Sequence, residues 1–267
     1  MSLDPEFVTD EDLDDLSSFT GMDREACLER LRAYRFDELA EAFRRADPKT
    51  AEERIEFYGS TDLEIWELMQ WHASRSRQPY REALEAFARD HSAEGWPRVL
   101  DFGSGVGTDA LFLAERGYEV TLVDVEGPAF RFARHRFDRR GIAARLLESR
   151  SPLPRPDGIY DAVVCFDVFS HLPDPLGAAR RLISALREGG IMLQRGAFGA
   201  EDVHPDKVEE HVRRFAGMKW HIHLAGLGLR TLDEFTYQKV TGAARAGQRL
   251  RYALWKATGL WLIKVER

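Results

Sequence analysis

The sequence predicts a doubly wound α/β fold: a mostly parallel seven-stranded sheet with helices on both faces, preceded by an N-terminal helical extension. Three observations carry this expectation. From residue 98 onward, short apolar runs alternate with amphipathic stretches. Glycine and proline stand where that alternation changes period. Ahead of it, residues 20–94 place apolar side chains at helical spacing.

In the leading region Ile65, Leu68 and Met69, then Leu84, Phe87 and Ala88, form helical stripes. Asp47-Pro48 and Tyr58-Gly59-Ser60 read as breaks. Thr20 and Thr61 each precede an acid by three residues and read as capping boxes. Residues 99–102 are the first strand, followed by a helix over 109–115 that Gly117 stops. A second strand covers 119–124. Pro128 starts a helix with Phe130, Ala133 and Phe137 on one face, closed by Gly141. Strands follow over 143–147 and 161–166. Asp174-Pro175 caps a helix whose stripe is Leu176, Ala179, Ile183 and Leu186; Gly189-Gly190 ends it before a fifth strand, 191–194. The remainder reads as helix 206–226, strand 229–238, helix 243–257 and a last strand, 261–266. The expected division is an acidic leader and helical lid over 1–94, then an α/β domain over 95–267.

Of the 267 residues 44% are hydrophobic and 31% charged, a soluble globular balance. No run reaches the roughly 18 apolar residues of a membrane span, and no basic-then-apolar leader suggests secretion. Cys27 and Cys165 are too few for a disulfide framework or a zinc site, so a reducing cytoplasm is expected. A net charge of -7 disfavours a nucleic-acid footprint, which needs clustered cations. The charge is uneven, with seven acids and no base in residues 1–20, and Arg245, Arg249, Arg251, Lys256, Lys264 and Arg267 near the C-terminus. A mobile acidic leader and a solvated basic helix explain this; contact with a partner is the alternative. The five arginines between 131 and 140 likewise read as a solvated helix face.

The chemistry concentrates in VLDFGSGVG, residues 99–107. Its spacing is G-x-G-x-G rather than the G-x-G-x-x-G of dinucleotide folds. The acid matters more than the spacing. Asp101 ends the first strand and directs a carboxylate at the turn, where a pyrophosphate would be repelled in a partly desolvated site. A ligand with an ammonium and a sulfonium, as in S-adenosylmethionine, would be stabilised instead. Asp124, ending the second strand, suits ribose hydroxyls in either ligand.

VLDFGSGVGTDALFLAERGYEVTLVDVEGPAFRFAR, followed by LPRPDGIYDAVVCFDVFSHLPDPLGAARRLISALREGGIMLQ, resembles the class I S-adenosylmethionine-dependent methyltransferases, in particular the broad group that methylates small molecules. The resemblance implies a Rossmann-like sheet and S-adenosylmethionine as cofactor, with S-adenosylhomocysteine as product. Asp101, Gly103, Ser104 and Gly105 would surround the methionine end, Asp124 the ribose, and Val125 the adenine. The group usually has an acid after the third strand; here Ser149 and Arg150 stand in that region, so adenine would be met by the serine hydroxyl and backbone, or by Glu148. Phe166 would lie by the cofactor. Enzymes that methylate exocyclic amines or amides commonly carry Asn-Pro-Pro-aromatic after the fourth strand. Phe166-Asp167-Val168-Phe169 departs from that pattern and counts against such substrates.

Methyl transfer from a sulfonium needs orientation, exclusion of water and, for some acceptors, removal of a proton. His171 is the first candidate base, with a structural histidine at the strand end as the alternative; His204 is the second. His221 and His223 would face opposite sides of a helix, and no metal is expected. Tyr58, Trp66, Trp71 and His72 are the lid residues that could meet a substrate, or pack the helices. Arg75 and Arg77 could neutralise the methionine carboxylate, or be solvated at a helix end. The expected activity is methylation of O, N or C of a small metabolite. The rivals are a nucleic-acid or protein methyltransferase docking through the basic C-terminus, a non-catalytic cofactor-binding regulator, and a nicotinamide dehydrogenase, which Asp101 disfavours.

Overall fold

The computed structural model describes residues 7–35, 37–149, 158–196, 198 and 209–259, without the side chains of 209, 210 and 212. Among them, β1 (Arg98–Phe102), β2 (Glu119–Asp124), β3 (Arg145–Glu148), β4 (Tyr160–Phe166), β5 (Leu186–Arg195), β6 (Leu229–Thr231) and β7 (Thr236–Lys239) form a mixed sheet in the order β3-β2-β1-β4-β5-β7-β6. The pairs β1–β2, β2–β3 and β4–β5 are parallel, while β7 runs antiparallel to β5 and β6. The chain divides into two compact units, Met1–Pro152 and Leu153–Arg267.

The first unit opens with α1 (Asp10–Thr20), α2 (Arg24–Ala33), α3 (Glu38–Ala46), α4 (Ala51–Ser60), α5 (Leu63–His72) and α6 (Gln78–Asp90), and adds α7 (Thr108–Ala114) and α8 (Pro128–Arg140) around β1–β3. Leu16, Leu31, Tyr34, Ile65, Trp66 and Met69 of the leading helices bury against Val106, Ala129 and Phe132. The helical extension is thereby anchored on the glycine turn and α8, and the apolar area removed from water supplies the holding force.

Several expectations need correction here. From Asp10 onward the acidic leader is helical, as α1, and Asp15 is fully buried. Its partners are the arginines expected on a solvated face. Asp15 accepts hydrogen bonds from Arg136 Nε (3.1 Å), Arg139 Nε (2.5 Å) and Arg140 Nη2 (2.6 Å), and Arg136 is itself 2% exposed. Thr20 and Thr61 do not form capping boxes. Thr20 Oγ1 donates to Leu16 O within its own helix, and Asp23 caps α2. The reciprocal boxes are Thr9 with Asp12 and Thr50 with Glu53.

The second unit contains α9 (Pro175–Ala185), α10 (Glu209–Phe215), α11 (Met218–Leu227) and α12 (Gly242–Thr258) with β4–β7. Asp174 accepts from Gly177 N–H and starts α9 as expected. That helix stops at Ala185, however, and LREGG belongs to β5. The register jumps between the Tyr160↔Leu186 and Ala162↔Ile191 pairs, an irregularity that lets Arg187 Nε reach the buried Asp161 carboxylate at 2.6 Å. The expected helix over 206–226 is broken at Gly217, which has a positive φ. The expected strand 229–238 is a hairpin, β6 and β7, turned where Asp233 accepts from the Phe235 and Thr236 N–H groups. The expected last strand, 261–266, lies outside the described residues. Among the described residues no helix is long and apolar enough to cross a membrane.

Candidate functional site

At the carboxyl ends of β1 and β2 the first unit forms a compact turn. Gly103 N–H donates to Val123 O at 2.8 Å, and Gly107 N–H closes back on Ser104 O at 2.8 Å. Gly103, Gly105 and Gly107 all have φ between 52° and 74°, a region that L side chains avoid. Asp124 holds the centre of the turn. Its Oδ2 accepts from Gly105 N–H and its Oδ1 from Val125 N–H, at 2.5 and 2.6 Å. Each carboxylate oxygen keeps a second acceptor site, so ribose hydroxyls could still be received.

Asp101 is 4% exposed, and its Oδ2 has no hydrogen-bond partner; Ser104 Oγ beside it in the turn is also buried and unpartnered. Burial, and then the neighbouring Asp109, push the Asp101 carboxyl well above its usual range, against the pull of Arg77. Burial also raises Asp124, although the Gly105 and Val125 N–H groups oppose it. Three carboxylates thus share a buried region where Arg77, 2% exposed, is ion-paired to Asp109. The chemistry of that set is to attract a cation and to exclude a phosphate. It fits the ammonium of an amino-acid-bearing nucleoside.

Arg77 is therefore not a solvated helix-end residue: it lies over the Trp71 and Tyr80 rings at 4.5 Å and spends its charge on Asp109. Arg75 is exposed. His72 Nδ1 lies 2.8 Å from Thr108 Oγ1, and burial followed by the charges of Arg77, Arg136 and Arg81 holds its pKa well below the ordinary histidine value. It is neutral at neutral pH. Trp66 belongs to the core, Trp71 packs on Tyr80 and His72, and Tyr58 packs on Phe43 and Phe57. Leu68, on α5, reaches the turn itself: a Cβ at Gly105 would come within 2.5 Å of its Cδ1.

Of the adenine candidates, Ser149 donates its backbone N–H to Asp124 O at 2.7 Å with an exposed side chain, and Glu148 pairs in register with Asp124. Arg150 and His204 lie outside the described residues. In the second unit, Phe166 ends β4, buried and edge-on to Phe235. His171 closes a short 3-10 helix, Phe169–His171, half-buried, with its N–H donating to Val168 O. The Nδ1 atoms of His221 and His223 meet the Tyr237 and Tyr252 hydroxyls, respectively.

The structure thus gathers Asp101, Gly103, Ser104, Gly105, Asp124 and Val125 around one turn, at the ends of β1 and β2. Sequence reasoning missed Asp109, Thr108 and Arg136. Arg136 Nη1 donates to Val106 O at 2.8 Å and to Thr108 Oγ1 at 2.9 Å, tying α8 to the turn. A buried arginine has no local sequence signature, but seven acids without a base in the leader called for partners elsewhere.

Residues 31–196, more than half of the chain, match the methyltransferase-domain family. The ubiquinone biosynthesis O-methyltransferase of Chromobacterium violaceum is 30% identical over 181 residues, which cover 58% of this chain and 75% of that protein. The glycine N-methyltransferase of Rattus norvegicus is 31% identical over 147 residues, 48% of this chain and 49% of that protein. The demethylmenaquinone methyltransferase of Thermus thermophilus is 38% identical over 112 residues, 38% and 51% of the two chains. The chain spans about half the length of the last two relatives. With the glycine turn, its flanking acids and this match together, the chain belongs to the class I S-adenosylmethionine-dependent methyltransferase family.

Proposed function

We propose that the protein transfers a methyl group from S-adenosylmethionine to an oxygen, nitrogen or carbon of a small metabolite. The observation that supports this most is the buried Asp101 carboxyl, whose Oδ2 has no hydrogen-bond partner, at a glycine turn already rich in negative charge. Asp101 holds the ammonium of the methionine end, with Ser104 and the backbone of Gly103 and Gly105 around it. Asp124 receives the ribose hydroxyls, Val125 flanks the adenine, and Ser149 with Arg150 completes that edge; Phe166 lines the cofactor. Residues 1–94 act as the lid of a domain over 95–267, with Tyr58, Trp71 and His72 toward the substrate. Bound S-adenosylmethionine supplies an electrophilic methyl on a sulfonium. The protein contributes by positioning the nucleophile and excluding water, worth about 7–11 kcal/mol in well-aligned cases. No metal is part of this reading. The buried Cys27 and Cys165 thiols, neither in a disulfide, are in keeping with a cytoplasmic setting.

For an acceptor that must lose a proton, His171 is the base, with His204 next in line. His171→Gln is then expected to lower kcat by about 10²–10⁴ while leaving cofactor affinity unchanged. It should also erase the limb of the pH–rate profile that reports deprotonation of the base. The test is transfer of labelled methyl from S-adenosylmethionine across a metabolite collection, repeated with the variant on the acceptor found. Cofactor binding without transfer to any small molecule would count against this function; an unchanged pH limb would retire His171.

A further inference from the structure

The buried arginine of α8 does more than fasten α1. Arg136 is 2% exposed, and its planar guanidinium divides its donors between two parts of the first unit. Nε and Nη2 face α1, donating to Asp15 Oδ2 at 3.1 Å and to Asp12 Oδ1 at 2.5 Å. Nη1 faces the glycine turn, donating to Val106 O at 2.8 Å and to Thr108 Oγ1 at 2.9 Å. The same threonine hydroxyl lies 2.8 Å from His72 Nδ1 on α5.

Which carbonyl it holds matters. Val106 O belongs to the peptide unit whose N–H, on Gly107, donates to Ser104 O at 2.8 Å, so that unit is held at both ends. The Ser104–Gly105 unit is held likewise: its carbonyl accepts that bond and its N–H donates to Asp124 Oδ2. Between the two stands the Gly105–Val106 peptide, in a segment where glycines at φ +52° and +73° leave the free chain a wide choice of conformations. Asp124 fixes one side of it and Arg136 the other. A turn that meets its ligand through backbone binds best when that backbone already has the bound conformation.

Fastening alone does not account for this arrangement. Apolar packing already holds α1 to α8, with Leu16 and Phe132 fully buried and the Phe19 and Phe132 rings 5.1 Å apart. A buried ion cluster adds little to such an interface beyond what further apolar side chains would give. What the cluster supplies is direction, because Asp12 and Asp15 orient a plane whose third nitrogen supports the turn.

We propose that Arg136 is a positioning residue for S-adenosylmethionine and that α1, through Asp12 and Asp15, sets its orientation, so that seating of α1 and cofactor binding at the turn favour each other. This deepens the methyltransferase reading and rests on it. Linkage makes the coupling reciprocal: loosening α1 weakens cofactor binding, and bound cofactor tightens α1.

The full chain is to be titrated calorimetrically with S-adenosylhomocysteine, and amide exchange over Asp10–Thr20 followed by mass spectrometry with and without it. Arg136→Lys keeps a charge beside Asp15 but replaces the fork with a single ammonium, which does not serve both sides. It should lower affinity at least about tenfold, the loss expected for a charge-assisted hydrogen bond. Asp15→Asn should lower it too, and the double variant should lose no more than Arg136→Lys alone, since Asp15 acts through Arg136. In the parent, S-adenosylhomocysteine should slow exchange in α1, and Arg136→Lys should abolish that response at saturating ligand. Phe87→Leu, at the far end of α6 among His91, Trp96 and Tyr118, is the stability control and should change neither readout. Unaltered affinity in Arg136→Lys, additive losses in the double variant, or α1 exchange indifferent to S-adenosylhomocysteine in the parent overturns the proposal. Should Arg136→Lys not fold, Asp15→Asn and the parent's exchange decide the matter in the same way. A parent that binds no S-adenosylhomocysteine strikes the methyltransferase reading itself; one that binds it, with Arg136→Lys unimpaired, strikes only the role of Arg136.

Discussion

Asp15→Ala is expected to lower the unfolding free energy by about 3–5 kcal/mol, the cost of removing one partner from a buried ion cluster. Asp15 is fully buried, and Asp12 adds contacts to Arg136 Nη2 at 2.5 Å and Arg140 Nη2 at 3.1 Å. Without Asp15 the guanidinium of Arg136 stays buried with its compensation halved. Burial works to raise the Asp15 pKa, but the hydrogen bonds from Arg140 and Arg139 outweigh it, and the net shift is downward. A carboxyl held lower in the fold than in the unfolded chain stabilises above its unfolded pKa, and that stability is lost as pH falls through the folded value. Denaturant unfolding of the parent should therefore show an acid-side loss of stability that Asp15→Ala lacks. A destabilisation under about 1 kcal/mol would mean that the cluster behaves like surface pairs. Because Arg136 also holds Val106 O, the variant's affinity for S-adenosylhomocysteine should fall as well.

Gly105→Val is expected to remove cofactor binding, with affinity down by at least about 100-fold, while the fold persists. The position has φ +52°, which costs an L residue roughly 1–2 kcal/mol. Its new Cβ would meet Leu68 Cδ1, the end of a side chain that can turn aside. Space beside the backbone, where a ligand must approach closely, is lost in either case. Circular dichroism should match the parent, and the melting temperature should no longer respond to S-adenosylhomocysteine. An undiminished response would show that the turn is not the cofactor site.

What could be read in the sequence follows from which forces are local. Strand Glu119–Asp124 and helix Pro128–Arg140 fall where they were expected, because an apolar run, a proline at the first turn and Gly141 in the left-handed region are all short-range signals. The acids at the ends of β1 and β2 were visible for the same reason. The burial of Asp15 was not, since its arginine partners lie more than 120 residues away. LREGG reads as a helix end, yet its leucine and arginine continue a strand because buried Asp161 in the neighbouring strand needs Arg187. Thr20 was misread as a cap since its hydroxyl serves Leu16 O one turn back in its own helix.

Calorimetric titration of the parent and Asp101→Asn with S-adenosylhomocysteine, 5′-methylthioadenosine and NADH tests the central claim most directly. The buried Asp101 carboxylate is held to select a nucleoside that carries an amino-acid ammonium. The parent should then bind S-adenosylhomocysteine at least about tenfold tighter than 5′-methylthioadenosine, which lacks that end, the advantage of a charge-assisted hydrogen bond. Asp101→Asn should erase the difference, and NADH should give no binding heat. Tight NADH binding with no response to S-adenosylhomocysteine, or a preference untouched by Asp101→Asn, would contradict the account.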